Sequence, residues 1–109
     1  MLGGKTCKQQ DIVVAPVVYS DQSGRKRRPV LVLNRFGSDL LVCSLTSNTT
    51  LRKHHLFFGM DVMPSRLRSL SVVKLPSLSV IYESLVEYSI GRLNAETFNR
   101  VRQEFNALV

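Results

Sequence analysis

Little in this chain commits it in advance to a disulfide-bonded, metal-binding or membrane class. It has two cysteines in 109 residues, Cys7 in a polar stretch and Cys43 in an apolar run. Two cysteines so placed build neither a disulfide framework nor a Cys-rich metal site. Cys43 reads as core and Cys7 as incidental. No run approaches the roughly 18 apolar residues that a membrane span requires. Residues 1–10 are too polar, and too rich in Gly and Lys, for the apolar part of a signal peptide. The expectation is a soluble, cytoplasmic chain with no membrane contact. Acidic residues are also scarce, 8 against 15 Lys and Arg, which leaves a formal charge of +7.

That charge is unevenly placed. Residues 1–75 carry 12 Lys and Arg against 4 Asp and Glu, whereas residues 76–109 carry 3 against 4. Clustered cations release counterions when they meet phosphates, so a polyanionic partner is the natural reading, with a solubilising surface as the alternative. A chain of this length, 44% hydrophobic, fits one core. A single domain over residues 1–109 is expected, with a polar N-terminal arm over 1–9.

Hydrophobic patterning predicts mostly strands. Asp11 to Val18 is β-branched and nearly continuous, as in a strand buried on both sides, and Pro16 restricts it to an edge or a bulge. Residues 19–28 have loop composition. Strands follow at 29–33 and 40–45, with Gly37 marking the turn between them. A further strand is expected at 54–58. Residues 59–69 then form a long connection, of a length that in compact domains tends to be functional or mobile. Residues 71–75 form another strand, ended by Pro76. Between Leu78 and Leu93 the pattern suggests a short helical turn and then a strand over 88–92.

The last segment is the clearest. Asn94 suits an N-cap, and Phe98, Val101, Phe105 and Leu108 recur on one helical face, so 95–108 should be an amphipathic helix. The expected class is mainly β with a C-terminal α-helix, a small β-barrel or open sandwich.

Two segments carry candidate chemistry. Arg25-Lys26-Arg27-Arg28-Pro29 sets four cations before a strand. Arg presents a planar fork of donors to a phosphate, and Pro29 fixes the backbone entry. The plain alternative is a solvated hairpin tip. Leu45-Thr46-Ser47-Asn48 places hydroxyls and an amide where a strand opens into a loop. Such groups can donate to non-bridging phosphate oxygens, although alone they are ordinary loop residues.

Taken together the segments resemble a known family. Asp11-Ile12-Val13, Arg28-Pro29-Val30-Leu31-Val32-Leu33, Val42-Cys43-Ser44-Leu45-Thr46-Ser47-Asn48, Ser71-Val72-Val73-Lys74-Leu75 and Ile90-Gly91-Arg92-Leu93 stand in the order and approximate spacing of the MazF/PemK-like toxins, mRNA interferases of type II toxin-antitoxin systems. The resemblance covers about residues 10–105. It implies an SH3-like β-barrel of the MazF/CcdB type, a homodimer, cleavage of single-stranded RNA, and neutralisation by an antitoxin. It also implies that Arg28 and Thr46 are the catalytic pair. The chain departs from the family at Gln10, where Gly is common. It departs again at Pro76 and Ser77, where an acidic residue and Gln are frequent, and at Ser84, where Arg is frequent.

On this reading Arg28, helped by Arg27 and Lys26, holds the scissile phosphate, Thr46 stabilises the transition state, and the RNA 2'-hydroxyl attacks. Arg25, Lys26, Arg27, Ser47, Asn48, Arg66 and Arg68 are the candidate RNA contacts. Arg stays protonated at ordinary pH and serves as clamp rather than base. A metal-dependent nuclease needs carboxylates, and the acids near the proposed site, Asp11 and Asp21, are isolated among cations. No cofactor is expected. The net charge also favours an acidic, partly disordered antitoxin over the basic face.

Other residues read more plainly. His54 and His55 tempt a general acid or base reading. Neighbours on a strand face opposite ways, however, so the two cannot form one pair. A structural or RNA-lining place is expected for both. Glu83 and Glu87 could share a helical face and read as exposed polar surface. The alternatives to an enzyme are a CcdB-like toxin acting on a protein such as DNA gyrase and an RNA-binding domain without catalysis. The first class commonly relies on a C-terminal Trp, and this chain has none.

Overall fold

The β-branched runs become seven strands. In the computed structural model, which describes residues 6–18, 25–46, 55–57, 62–63 and 71–108, these are β1 (Asp11–Val18), β2 (Arg25–Phe36), β3 (Asp39–Thr46), β4 (His55–Phe57), β5 (Val62–Met63), β6 (Ser71–Tyr82) and β7 (Tyr88–Leu93). A 3-10 turn spans Glu83–Leu85, and α1 spans Ala95–Leu108. All the pairings are antiparallel. The order across the sheet is β4-β6-β3-β2-β1-β7-β5. The mainly β class with a C-terminal helix is as expected. The sheet is open, however, with β4 and β5 at its ends, so it is a curled sheet rather than a closed barrel.

Strand alternation divides the core in two. Ile12, Leu31, Leu33, Cys43, Leu45 and Leu93 pack under Phe98 and Val101 of α1. Their neighbours Val13, Val30, Val32, Leu40 and Val42 turn to the other face and join Cys7, Ala15, Val17, Ile81 and Val86. The near-continuous apolar run of β1 follows from this two-sided burial. Each fully buried Leu, Ile or Val contributes about 1.5–3 kcal/mol through area removed from water. Asn94 caps α1 as predicted, its side-chain oxygen accepting the Thr97 N–H at 2.8 Å.

Four sequence expectations need correction. First, the basic run lies in a strand, since residues 25–28 pair with β1 from Val18↔Arg25 to Ala15↔Arg28; loop composition was the misleading signal. Second, residues 34–36 also belong to β2, and the turn shrinks to Gly37 and Ser38. Gly37 has φ +63°, which a two-residue hairpin requires. Third, Pro76 does not end β6. The β3–β6 register jumps from Ser44↔Lys74 to Cys43↔Leu78, so Pro76 falls in a bulge where no ladder N–H is needed. Fourth, Cys7 is only 4% exposed and belongs to the core. Burial pushes its thiol up to about 11 and that of Cys43 to about 12.

Pro16 sits in β1 two residues beyond the last pair with β7, Val14↔Tyr88, so it disturbs no pairing on that side. Gln10 adopts φ +81°, a conformation that favours glycine. It is held there from three directions. Its N–H donates to the Val32 carbonyl at 3.1 Å, its carbonyl accepts the Leu93 N–H at 2.8 Å, and its side-chain amide donates to the Leu93 carbonyl at 2.9 Å. Among the described residues no helix is long and apolar enough to cross a membrane.

Candidate functional site

The basic strip is the first half of β2. Four consecutive cations are tolerable in an extended strand because neighbours point to opposite faces and same-face residues stand about 6.6 Å apart. Arg28 lies opposite Ala15 and shares its face with Val30, whereas Arg27 lies opposite Pro16 on the other face. Both side chains are exposed. The two arginines therefore leave β2 on opposite faces. Pro29, opposite Val14, precedes the first β2 residue that pairs with β3, so only one neighbouring strand asks for its missing N–H.

Thr46 is the last residue of β3, opposite Val72 of β6. The β2–β3 ladder ends at Val30↔Ser44. Carrying that register two residues further sets Arg28 across from Thr46. The two positions thus stand on adjacent strands just beyond the last ladder pair. His55 opens β4 opposite Val73, which is itself opposite Leu45, the neighbour of Thr46. His54, Ser47, Asn48, Arg66, Arg68 and Asp21 lie outside the described residues. Lys26 holds the register position opposite Val17, and Arg25 that opposite Val18.

Several charged partners had no local sequence signal. Glu87 binds Arg27 at 2.7 Å, and the two side chains are 36% and 63% exposed. Its backbone N–H donates to the Val14 carbonyl at 2.8 Å, which holds the main chain at Glu87 beside β1. Glu83 grips the Arg35 guanidinium with both oxygens, one contact at 2.9 Å, and accepts the Cys7 N–H at 2.6 Å. Arg35 also donates to the Cys7 carbonyl at 3.0 Å. The Arg35 hydrogen bond holds the Glu83 carboxyl below its ordinary range, aided by the Cys7 N–H against the opposing effect of burial. Neither glutamate is the idle surface group expected, and only Glu83 belongs to the 3-10 turn.

Asp11 is engaged as well. It accepts the Lys8 N–H at 2.8 Å and pairs with Arg92 at 3.5 Å. It stands four residues along β1 from Ala15, the partner of Arg28, or about 13 Å at strand rise. Among the described residues no three His, Cys, Asp or Glu side chains are grouped so as to hold a metal ion.

Against this geometry, residues 8–109 match the family described as PemK-like, MazF-like toxin of type II toxin-antitoxin system. No curated protein sequence matches the chain. Solved structures share its fold. The Mycobacterium tuberculosis toxin MazF-mt6 superposes with TM-score 0.69 at 21% identity, covering 89% of this chain and 93% of that one. MazF in a MazE-MazF crystal from Deinococcus radiodurans gives 0.71 at 18% identity, covering 94% of each chain. A mycobacterial endoribonuclease in complex with its cognate antitoxin gives 0.69 at 13% identity, covering 93% and 90%.

Proposed function

Because the chain belongs to the PemK-like, MazF-like toxin family of type II toxin-antitoxin systems, we propose that it is an endoribonuclease cutting single-stranded RNA in the cytoplasm without a metal ion. The observation that supports this reading is the β2–β3 register, whose last pair is Val30↔Ser44 and which, continued by two residues, would set Arg28 across from Thr46. Arg28 clamps the scissile phosphate, and the Thr46 hydroxyl donates to the oxygen on which charge develops. Held in line, the 2'-hydroxyl oxygen attacks phosphorus and loses its proton. The bond from phosphorus to the 5'-oxygen breaks, and the leaving oxygen is protonated. The products are a 2',3'-cyclic phosphate and a 5'-hydroxyl.

The remaining RNA contacts proposed are Arg25, Lys26, Arg27, Ser47, Asn48, Arg66 and Arg68. Arg27 reaches phosphate only by leaving Glu87. The active species is a homodimer that cuts at selected sequences, and an acidic antitoxin silences it by covering the basic strip. Solved relatives include a MazE-MazF crystal and an endoribonuclease bound to its cognate antitoxin, which supports that reading.

The deciding experiment incubates the purified protein with a long RNA in excess EDTA and identifies the fragment ends. Discrete fragments carrying cyclic phosphate are expected, and deoxyribose 5' to the cut should abolish cleavage while binding persists. Activity lost in EDTA, or retained on the deoxy strand, refutes the mechanism. Intact RNA under every condition refutes the enzyme.

A further inference from the structure

A cavity of about 280 Å³ opens where β1, β7 and the N-terminal arm meet. Val13 and Val86, both buried, form its apolar floor. Thr6, Asp11, Tyr88 and Ser89 set three hydroxyls and one carboxylate around it. Strand register explains the grouping, since Val13 pairs with Ser89 and Val14 with Tyr88, while Asp11 pairs with Arg92 across the bulge between Ile12 and Val13. Tyr88 is 53% exposed, an aromatic residue left open at the rim. Exposed arginines stand on either side. Glu87, which adjoins Tyr88 in the chain, holds Arg27, whose side chain is 63% exposed. Arg92 is 47% exposed, pairs with Asp11 at 3.5 Å and donates to the Gln9 carbonyl at 3.2 Å. Tyr88 and Arg92 are four residues apart in β7, about 13 Å at strand rise.

We propose that this cavity is a nucleobase subsite, which takes a base bearing an exocyclic amino group from an RNA strand whose phosphates run between Arg27 and Arg92. The inference rests on the nuclease reading above and gives its choice of sequence a chemical origin. Unpaired bases are recognised by stacking on aromatic side chains and by hydrogen bonds to their edges. Tyr88 supplies the aromatic wall. Asp11, as a carboxylate, only accepts, so it selects an edge that donates. The cytosine N4 amino group donates there, whereas the corresponding O4 of uracil accepts. Asp11 already takes the Lys8 N–H at 2.8 Å and the Arg92 guanidinium, but a carboxylate offers about four lone-pair sites and keeps room for one more donor. The hydroxyls of Thr6 and Ser89 donate or accept and suit the rest of the base edge. Other occupants match the lining less well. A wholly apolar ligand would bury Asp11, whose side chain is already only 14% exposed, without giving it a new donor. A divalent cation would find a single carboxylate among the lining residues.

The test measures, by fluorescence anisotropy, how 2'-O-methyl oligo(C), oligo(U) and an abasic strand of equal length bind the full-length protein and its variants Tyr88→Ala, Tyr88→Phe and Asp11→Asn. Thermal melts check that each variant folds, and the exposed Tyr88 position carries the test by itself if Asp11→Asn does not. The wild-type protein should bind oligo(C) about tenfold more tightly than oligo(U). Tyr88→Ala should weaken oligo(C) by about tenfold while leaving the abasic strand unchanged, and Tyr88→Phe should restore binding. Asp11→Asn, which can donate as well as accept, should erase the preference for oligo(C). Equal binding of oligo(C) and oligo(U) by the wild-type protein overturns the proposal. So does wild-type affinity in Tyr88→Ala, or a loss on the abasic strand as large as that on oligo(C). Cleavage of a long RNA by the wild-type protein is followed in parallel. Base-selective binding without cleavage removes the nuclease reading and leaves the subsite, whereas cleavage without the base preference removes the subsite alone.

Discussion

Replacing Glu87 with Gln should make RNA binding tighter and more sensitive to salt. Glu87 holds Arg27 at 2.7 Å with 63% of the Arg27 side chain exposed. A phosphate approaching that arginine must therefore displace the Glu87 carboxylate, whose main chain is held on Val14. An ion pair this exposed is worth about 0.2–1 kcal/mol, so losing the competitor strengthens binding by up to about fivefold at low salt. The salt slope is the sharper readout, because each cation engaged on a single strand adds about −0.7 to the log-log slope. A freed Arg27 should therefore steepen the slope by about 0.7 relative to the wild-type protein. Fluorescence anisotropy with a 2'-O-methyl RNA, which cannot be cut, measures this between about 50 and 300 mM salt, over which the Debye length falls from roughly 14 to 6 Å. The double variant Arg27→Ala/Glu87→Gln should return the slope to the wild-type value. If it stays steep, the effect was the general loss of a negative charge, and Glu87 is no competitor for Arg27.

Arg28→Ala and Thr46→Ala should each lower the cleavage rate on the order of 10²-fold or more without moving the thermal melt; wild-type turnover in both removes the pair from the chemistry. Glu83 is more acidic folded than unfolded, so its stabilising contribution is present above about pH 4.3, the unfolded value, and fades as pH falls through the lower folded value. Glu83→Gln should flatten that acid limb in urea melts, and an unchanged limb refutes the Arg35 contact as its source. Cys7 and Cys43, pushed up to about 11 and 12 by burial, should resist iodoacetamide at pH 8 until urea unfolds the chain. Their raised values also mean that stability declines as pH rises past the unfolded thiol value of about 8.5; rapid alkylation of the native protein contradicts their burial.

How far the fold could be read depended on whether local pattern decided it. The helix over 95–108 was legible because apolar spacing and an N-cap residue agree, and both are local. β1 was legible because burial on two faces leaves a continuous apolar run. The basic run 25–28 was misread because its composition suits a loop, yet pairing with Ala15 to Val18 makes it strand. Pro76 was misread as a stop because the bulge that absorbs it is a property of two strands, not one. Cys7 looked incidental because its polar neighbours hide its place in the core cluster that also holds Val86 and Ile81, which only the folded sheet supplies.

The site divides along the same line. The residue types were visible in sequence, since four cations before a Pro and a Thr at a strand end are local facts. Their relation was not visible, because the proposed approach of Arg28 to Thr46 depends on the register of β2 against β3, which pairs Val30 with Ser44. Strand alternation keeps Val30 and Val32 in one core while Leu31 and Leu33 fill the other. Arg28 takes its face from Val30, so the packing that decides which valines are buried also decides which face of the strip Arg28 occupies. Arg27, one residue away, is sent to the opposite face and to Glu87. A strand that carries function at one end and core at the other couples the two, and mutations in the Val30–Leu33 stretch that shift register should disturb Arg28 before they unfold the sheet.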